Sequence, residues 1–495
     1  MNTALVVTII GIIVIAALGF LGRRRPSADL SEWTVGGRRF GTATMWFLQA
    51  GEIFTTFTFL GMAGLAFTGG VAAMYALPYV PLAYAGLYFL GPRIWRRGRE
   101  SGHLTQADFL TDWYGSKALG VVVAILGVVF LLPYLQLQIT GLGLAVQLAT
   151  GNETSSTVSI VIAFVLTVAF VLWSGIRGVA TTAYFKDALM LIVLLVLIVV
   201  IPAHFNGGIG ATFQKVLATH PDLLRVHAGA NDQAWFFSSM IASTLGVLFM
   251  TLPHQWPALL SAGSAKAIRR NYIYLPIYSI SLGLPMLIGF VAVTQMAQPT
   301  GPDATAVSNK ALLTLTGQAL PAWMVGVVVV ATAATAMVPS AGLIIAMSSL
   351  ISKNIAKARG ARAQFTINQA AVVVVTAIAL LMGILRPDLL ANLLLLTYSG
   401  LDQLVPAIGL ALLARRFVGL WPVFAGLIVG EIVVIFLTFG GAGGGPFLSP
   451  DTVIGHVNVG MIALVPNIVV VAVGAVIERA TGHAPAPEPF AAKVG

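Results

Sequence analysis

The sequence predicts an all-α polytopic membrane protein, and its composition and apolar runs support this fold class. Hydrophobic residues make up 58% of the 495-residue chain, charged residues make up only 9%, and the mean hydropathy is +0.93. A soluble domain of this size cannot bury that much apolar surface. The apolar residues also fall into runs of about 20, the length that crosses a bilayer as a helix. The chain is therefore expected to lie within a lipid bilayer.

Thirteen apolar runs are long enough to be transmembrane helices. The first run, Thr3–Gly22, is followed by three arginines, Arg23–Arg25. A signal peptide carries its positive charge before the apolar segment, so this run is predicted to be a retained helix. The other twelve predicted spans are 43–70, 72–92, 118–148, 156–176, 181–203, 234–255, 273–296, 320–350, 366–385, 389–413, 418–439 and 459–477.

The basic residues predict how these thirteen spans are oriented. All but four of the 27 Lys and Arg residues fall in segments that alternate onto one side, the exceptions being Lys215, Arg225, Lys310 and Arg386. Basic residues accumulate on the cytoplasmic side of membrane proteins. The N-terminus is therefore predicted outside, and the C-terminus in the cytoplasm, for a protein of the inner (cytoplasmic) membrane. The net charge of +10 then reflects topology, and no nucleic-acid partner is expected.

Two of the long spans contain residues that favour a break in the helix. The second span carries Gly51 and Glu52 near its middle, and the seventh carries Ser243, Thr244 and Gly246. Each span would begin a block of five spans, and an odd block length gives the second block the opposite orientation. Inverted repeats with broken first helices are a recurring plan of transporters, with the binding site near the midplane.

This plan divides the chain into six parts. They are an extra helix and cytoplasmic loop (1–40), a first repeat of spans two to six (41–204), an outer loop (205–231), a second repeat of spans seven to eleven (232–416), two peripheral helices (417–479) and a disordered cytoplasmic tail (480–495).

Three sequence segments carry a resemblance to a known family. They are WTVGGRRFGTATMWFLQAGEIFTTFTFLGMAG around the second span, LTQADFLTDWYGSKALG before the fourth, and ATAMVPSAGLIIAMSSLISKNI in the ninth. Together they resemble the sodium:solute symporter family. TLPHQWPALLSAGSAKAIRRN and the VPSAG stretch look closest to its monocarboxylate permease-like branch. The resemblance implies thirteen helices, a five-plus-five inverted repeat and an external N-terminus.

The resemblance also implies an ion site between the second and ninth helices. The carbonyl ligands of the family carry over to Gly51 and Phe54, where a sodium ion would bind. The family's pair of adjacent hydroxyls on the ninth helix is missing, because Val338–Pro339 stands in its place; the nearest hydroxyls are Thr335 and Ser340. Sodium coupling, proton coupling and uncoupled movement therefore all remain open. No other cofactor is expected.

Two carboxylates in predicted spans are candidates for ion coupling. A charge at bilayer depth costs several kcal/mol unless it faces a cavity or a partner. Glu52 follows the glycine of the second span and could carry a proton or help to hold a cation. Asp402 follows a glycine in the eleventh span. Tyr398, one helical turn before Asp402, is a candidate gate or substrate contact.

Polar side chains near the break are the candidates for substrate binding. They are Thr55, Thr56 and Thr58 in the second span, with Gln136 and Gln138 in the fourth. The two glutamines are i and i+2, so on a helix they point in different directions. A small carboxylate could also meet the N-terminus of a half-helix. Lys186 and Asp187 are taken as interfacial residues at a cytoplasmic helix end, so no basic side chain is expected in mid-membrane.

These features predict a secondary active transporter, a symporter that imports a small organic solute. A monocarboxylate is favoured as the substrate, driven by a cation gradient through alternating access. One alternative is sodium-coupled uptake of an amino acid or a pantothenate-like solute, and another is a sensor or channel built on the same scaffold. An enzyme is not expected, because no paired catalytic groups occur at suitable spacing. The expected partners are a small-molecule substrate and the lipid bilayer, and an oligomer is not indicated.

Overall fold

The computed structural model describes residues 3–22, 29–151, 155–301, 303–358, 360–386, 388, 390–413, 417–449 and 451–483. These residues form helices and loops, with a single isolated β-bridge between Phe40 and Ala262. The predicted arginine cluster Arg23–Arg25 and the predicted tail from 484 onward lie outside the described residues. The all-α fold class is confirmed.

The α-helices are numbered in chain order. They are α1 Thr3–Gly22, α2 Leu30–Val35, α3 Thr42–Ile53, α4 Met62–Gly69, α5 Ala76–Glu100, α6 Gln106–Tyr114, α7 Lys117–Ala149, α8 Ser156–Asn206, α9 Ile209–Thr219, α10 Gln233–Leu248, α11 Gln255–Leu260, α12 Ala265–Ser279, α13 Leu284–Gln295, α14 Ala304–Ala319, α15 Ala322–Ser349, α16 Ala361–Leu385, α17 Leu390–Leu401, α18 Val405–Ala411, α19 Leu420–Phe439, α20 Val453–His456 and α21 Val459–Ala480. Two π-helical turns, Phe57–Gly61 and Leu350–Ile355, precede α4 and follow α15.

In the described part of the chain, ten helical runs are long and apolar enough to cross a membrane. Two of them, Phe57–Glu100 and Ser156–Asn206, contain 44 and 51 residues. A crossing needs about 20 residues, so each of these runs has the length for two crossings. The second is interrupted at Gly175, whose backbone has φ 55° and ψ −178°, a conformation that favours glycine. The number of thirteen spans stays a prediction.

The break expected in the second span is present. Helix α3 ends at Ile53, and Phe54 adopts an extended conformation with φ −89° and ψ 91°. The chain then re-enters a helix through the π-helical turn at Phe57. An extended residue within a helix frees the carbonyl groups around it from their usual i+4 donors. The second span therefore consists of two half-helices, with free carbonyls between them.

The break expected in the seventh span lies later than the sequence indicated. Helix α10 continues through Ser243, Thr244 and Gly246, and the chain leaves the helical path only at 249–254. Hydroxyl side chains do not by themselves open a helix, because the Thr244 hydroxyl donates to the Met240 carbonyl of its own helix at 2.7 Å. The interruption instead coincides with Met250, at φ 51°.

Helix α15, the predicted ninth span, is the centre of the structure. Its most apolar stretch is entirely buried, and it packs against α1, α7 and α8. Small residues allow this close packing: a Cβ at Gly326 would lie 2.7 Å from the Ala4 carbonyl oxygen. By contrast, α19 and α21 pack mainly against each other and expose much of their apolar surface. Burial therefore separates an inner group of helices from a lipid-facing pair.

A polar contact joins α6 to the π-helical turn that follows α15, on the side predicted to be cytoplasmic. Asp108 accepts hydrogen bonds from the Lys353 ammonium at 2.7 Å and from the Asn354 amide at 2.9 Å. It also accepts one from the Leu104 backbone amide at 2.8 Å. Burial raises the pKa of the Asp108 carboxyl, but the Lys353 charge and these hydrogen bonds outweigh burial, and the net pKa lies below its usual value.

Replacing Asp108 by asparagine is expected to lower the stability of the protein at neutral pH by about 1–3 kcal/mol. Because the pKa of Asp108 is lowered in the folded state, its ionised carboxylate stabilises the protein fully above the unfolded-state pKa of about 3.9. This stabilisation is lost as the pH falls through the folded-state pKa. The difference in melting temperature between wild type and Asp108→Asn should therefore shrink in acid. The matched control is Asp112→Asn on the same helix, whose half-exposed pair with Arg97 should matter less. Equal losses of melting temperature in Asp108→Asn and Asp112→Asn would contradict the stabilising role of the buried Asp108 contact.

Candidate functional site

The free carbonyls of the broken second span meet a lysine side chain. The Nζ atom of Lys186, on α8, donates to the Gly51 carbonyl oxygen at 2.9 Å and to the Phe54 carbonyl oxygen at 2.5 Å. It also lies 2.9 Å from the Oδ1 atom of Asp187. An ammonium group has three N–H donors, and these three oxygens match them. The lysine is fully buried, with no solvent-exposed side-chain surface.

Asp187 provides the counter-charge for this ammonium group. Its side chain is 1% exposed, and the Tyr278 hydroxyl lies 3.4 Å from the same Oδ1 atom. The ring of Tyr278 packs edge-on against Phe54, the extended residue of the break. A buried ion pair is tolerated only where further hydrogen bonds satisfy both groups. The break, the lysine and the aspartate therefore form one connected polar site between α3, α8 and α12.

The position of Lys186 and Asp187 differs from the sequence expectation. They were expected at a cytoplasmic interface, with no basic side chain in mid-membrane, and both expectations are wrong. Lys186 lies 11 residues beyond the interruption at Gly175, which corresponds to about 16 Å along a helix. That distance brings the lysine level with the break after α3, whose carbonyls it contacts.

The ninth-helix hydroxyls do not face the free carbonyls as ion ligands would. Thr335 donates to the Thr332 carbonyl at 2.8 Å, and Ser340 donates to the Ala336 carbonyl at 2.7 Å. Both hydroxyls are thus used within α15. Opposite Gly51 the helix presents Val338, whose Cγ1 would contact a Cβ at Gly51 at 3.6 Å.

A sodium ion does not fit at Gly51 and Phe54 in this arrangement. The ammonium group already uses both carbonyl oxygens, and α15 adds an apolar side chain. Two positive charges about 4 Å apart also repel by about 4 kcal/mol at the effective dielectric of protein sites. The oxygen set that the family resemblance implied is therefore taken by Lys186.

Glu52 lies beside this ion pair and faces a cavity. Its Oε1 atom is buried, has no hydrogen-bond partner among the described residues, and points toward Gly342 of α15, where a Cβ would lie 3.3 Å away. Glu52 is also near enough to Lys186 for the two charges to interact. The carboxylate therefore lies between the ion pair and the cavity.

The cavity has a volume of about 40 Å³. A water molecule needs roughly 10–15 Å³ of such space, so there is room for about three waters or a small solute. Its wall is formed by Gln49, Glu52, Ile53, Phe57, Tyr79, Val80, Tyr84, Leu87, Tyr134, Val247, Met250, Leu252, His254, Gln255, Tyr272, Leu394 and Tyr398. Five tyrosines contribute to this wall, while Glu52 is the one carboxylate among these described lining residues.

Four of the predicted substrate residues, three threonines and Gln138, lie around the break rather than in the cavity wall. Thr58 donates to the Ile53 carbonyl at 2.9 Å, and the Thr55 hydroxyl accepts from the Phe57 amide at 3.2 Å. The Thr56 amide donates to Gln138 at 3.2 Å. These three threonines and Gln138 thus hold the open backbone in place.

The remaining predicted site residues separate into two groups. Gln136 points away from the break and donates to the Arg386 carbonyl at 2.8 Å. Tyr398 lines the cavity, with its ring 6.4 Å from that of Tyr79. Asp402 is fully buried one turn further along and lies 3.4 Å from the Thr251 hydroxyl. Tyr398 and Asp402 therefore lie together beside the interruption of the seventh span.

Several residues of the site have no distinctive signal in the sequence. Tyr79, Tyr84, Tyr134 and Tyr272 come from three different helices and share no motif. His254 lies in the 249–254 interruption, where its ring packs 5.5 Å from that of Tyr134. For Lys186 the sequence does contain a signal: a Lys and an Asp are adjacent within an apolar run. Such a pair can indicate a buried ion pair, because a charge inside a membrane needs a partner.

Sequence comparisons match nearly the whole chain. The family model "Sodium:solute symporter family" matches residues 33–430. A Bacillus subtilis protein named "Uncharacterized symporter YhjB" is 35% identical over 476 residues, which cover 95% of this chain and 96% of the relative. A "Monocarboxylate transport permease protein" of Rhizobium johnstonii is 30% identical over 465 residues, covering 91% and 89%.

Structural comparisons identify the same architecture at low sequence identity. The substrate-bound, outward-open state of a Na⁺-coupled sialic acid symporter superposes with a TM-score of 0.78, covering 98% of this chain and 99% of that one, at 14% identity. The closed conformation of Mhp1, a nucleobase-cation-symport-1 family transporter, gives a TM-score of 0.54, covering 92% and 96%, also at 14% identity. At this identity the likeness concerns the fold alone.

Proposed function

Because the chain belongs to the sodium:solute symporter family, we propose that it imports a small monocarboxylate by cation-driven symport. The observation that carries this proposal is the small cavity beside the broken second span. Transporters built on inverted repeats hold their solute near the membrane midplane beside such breaks, which supports this proposal. The 30% identity to a monocarboxylate transport permease over 91% of the chain supports the same substrate class.

The chemistry of the cavity wall suits a small organic acid. Tyrosine hydroxyls are neutral groups that donate hydrogen bonds to a carboxylate. Apolar side chains such as Val80, Leu87 and Leu394 suit a short hydrocarbon tail. A cavity of about 40 Å³ favours acids of two to four carbons over a larger, pantothenate-like solute.

Alternating access would open this cavity to each side of the membrane in turn. The wall combines residues of the broken second span with residues of the interrupted seventh, for example Glu52 and His254. A relative movement of the two repeats would therefore change access to the cavity without moving the solute far. We place the protein in the cytoplasmic membrane, with its N-terminus outside, because of the distribution of its basic residues.

The test is uptake into proteoliposomes that contain the purified protein. Labelled acetate, propionate, lactate and pyruvate are offered under an inward cation gradient, with proline and pantothenate as alternative solutes. We expect saturable accumulation of at least one monocarboxylate, abolished when an ionophore collapses the gradient. Liposomes without protein are the control. Accumulation of proline or pantothenate alone would contradict the proposed substrate class, and unsaturable, voltage-following current would contradict symport.

A further inference from the structure

The free carbonyls of Gly51 and Phe54 were expected to bind a mobile cation, and the structure provides a covalently attached one. We infer that the Lys186 ammonium takes the place of the coupling sodium ion at this helix break, so that the carrier works without sodium. The inference rests on the proposed function, because it specifies the charge that the same site uses.

The geometry of the ammonium group carries this inference. Lys186 Nζ is within 2.9 Å of three oxygens, two of them the carbonyls of Gly51 and Phe54 and the third a carboxylate oxygen of Asp187. A hard cation in this place would bind the same carbonyl oxygens. The side chain therefore supplies both the position and the charge of a bound ion.

The helix opposite the break supports the same assignment. A free sodium ion would need further oxygen ligands from α15 to complete its shell. The hydroxyls of Thr335 and Ser340 are used within their own helix, and Val338 faces Gly51. An ammonium group needs only three acceptors, and α3, the break that follows it and α8 supply them all. Because the ammonium group of Lys186 needs no ligand from α15, the hydroxyl pair on that helix is not required.

Two carboxylates lie near Lys186 and can balance the positive charge of its ammonium group. Asp187 on its own helix and Glu52 on α3 are the acidic groups that face it, and Tyr278 contacts the Asp187 carboxylate from α12. From α15 the apolar side chain of Val338 lies against Gly51, whose carbonyl Lys186 binds. A mobile sodium ion added to this group would compete with the ammonium for the same acceptors.

The first test measures sodium binding without reference to the transported solute. A ligand that binds only the folded state raises the melting temperature. Purified wild-type protein is heated in sodium chloride and in choline chloride of equal ionic strength. We expect the same melting temperature in both salts. A sodium-specific increase in the wild type would overturn the inference, whatever the substrate proves to be.

The second test removes the ammonium group while keeping the shape of the side chain. Lys186→Met is compared with Lys215→Met, whose lysine lies in the outer loop and is exposed. Loss of one partner of a buried pair is expected to reduce uptake by about 100-fold in Lys186→Met, with no change in the control. A folded Lys186→Met protein that transports like wild type would overturn the inference. If Lys186→Met fails to fold, the sodium test on the wild type still decides.

The two proposals fail in different ways. If no monocarboxylate is transported under any gradient, the proposed substrate is wrong, while the melting temperatures still decide the role of Lys186. If monocarboxylate uptake occurs and depends on external sodium, the proposed function stands and the inference about Lys186 is wrong.

Discussion

Replacing Asp187 by asparagine is expected to abolish uptake and to destabilise the protein by about 3–5 kcal/mol. The substitution leaves the ammonium group of Lys186 buried without the counter-charge of Asp187. The same ammonium group binds the Gly51 carbonyl, so its loss of a partner also disturbs the helix break. The measurement is the melting temperature in detergent, together with uptake in proteoliposomes. Asp222→Asn is the matched control, because Asp222 pairs with Arg225 on the exposed surface. That control should leave both quantities unchanged.

A double variant distinguishes pairing from general disruption. Lys186→Met combined with Asp187→Leu removes both charges, and neutral replacement of a buried pair costs much less than removal of one partner. The double variant should therefore be more stable than Asp187→Asn alone, yet unable to transport. Destabilisation equal to the sum of the effects of Lys186→Met and Asp187→Leu, each measured alone, would show that the charges are not coupled.

Changing Glu52 to glutamine is expected to uncouple transport from the driving gradient. Glutamine has the shape of the protonated carboxyl group but cannot release a proton. If the carboxylate carries the coupling proton, the variant should still exchange internal for external solute, while gradient-driven accumulation falls to background. The dependence of net uptake on external pH should disappear at the same time. The measurement compares exchange with net uptake in the same proteoliposomes.

A neutral side chain of the same cavity wall is the control for Glu52. Gln49→Glu would add a carboxylate on the same helix, whereas Gln49→Asn keeps the wall neutral. Gln49→Asn should retain coupling even where its affinity changes. If Glu52→Gln accumulates solute with an unchanged pH profile, the proposed role of this carboxylate as a proton carrier is wrong.

Much of the fold could be predicted because apolar runs report directly on membrane helices. The break near Gly51 was also predictable, since a glycine and a carboxylate at bilayer depth favour an open backbone. The sequence pattern puts the break of the seventh span too early, because hydroxyl residues such as Ser243 and Thr244 do not by themselves open a helix. A threonine hydroxyl in a membrane helix is satisfied by its own backbone, and the chain leaves the helix only after Leu248, where Met250 has a positive φ.

The site was less predictable than the fold because it depends on neighbours distant in sequence. Hydropathy placed Lys186 near a helix end, but the interruption at Gly175 determines how deep that lysine lies. The absence of a hydroxyl pair at Val338–Pro339 was visible in the sequence, whereas the residue that compensates for it was not. Only the packing of α3 against α8 brings Lys186 to the free carbonyls.

Equilibrium binding of radioactive sodium to the purified wild-type protein tests the central claim most directly. The ammonium of Lys186 is hydrogen-bonded to the carbonyls of Gly51 and Phe54, so no saturable sodium binding is expected at neutral pH. Saturable binding of one sodium ion per protein molecule, competed by unlabelled sodium but not by choline, would contradict the account.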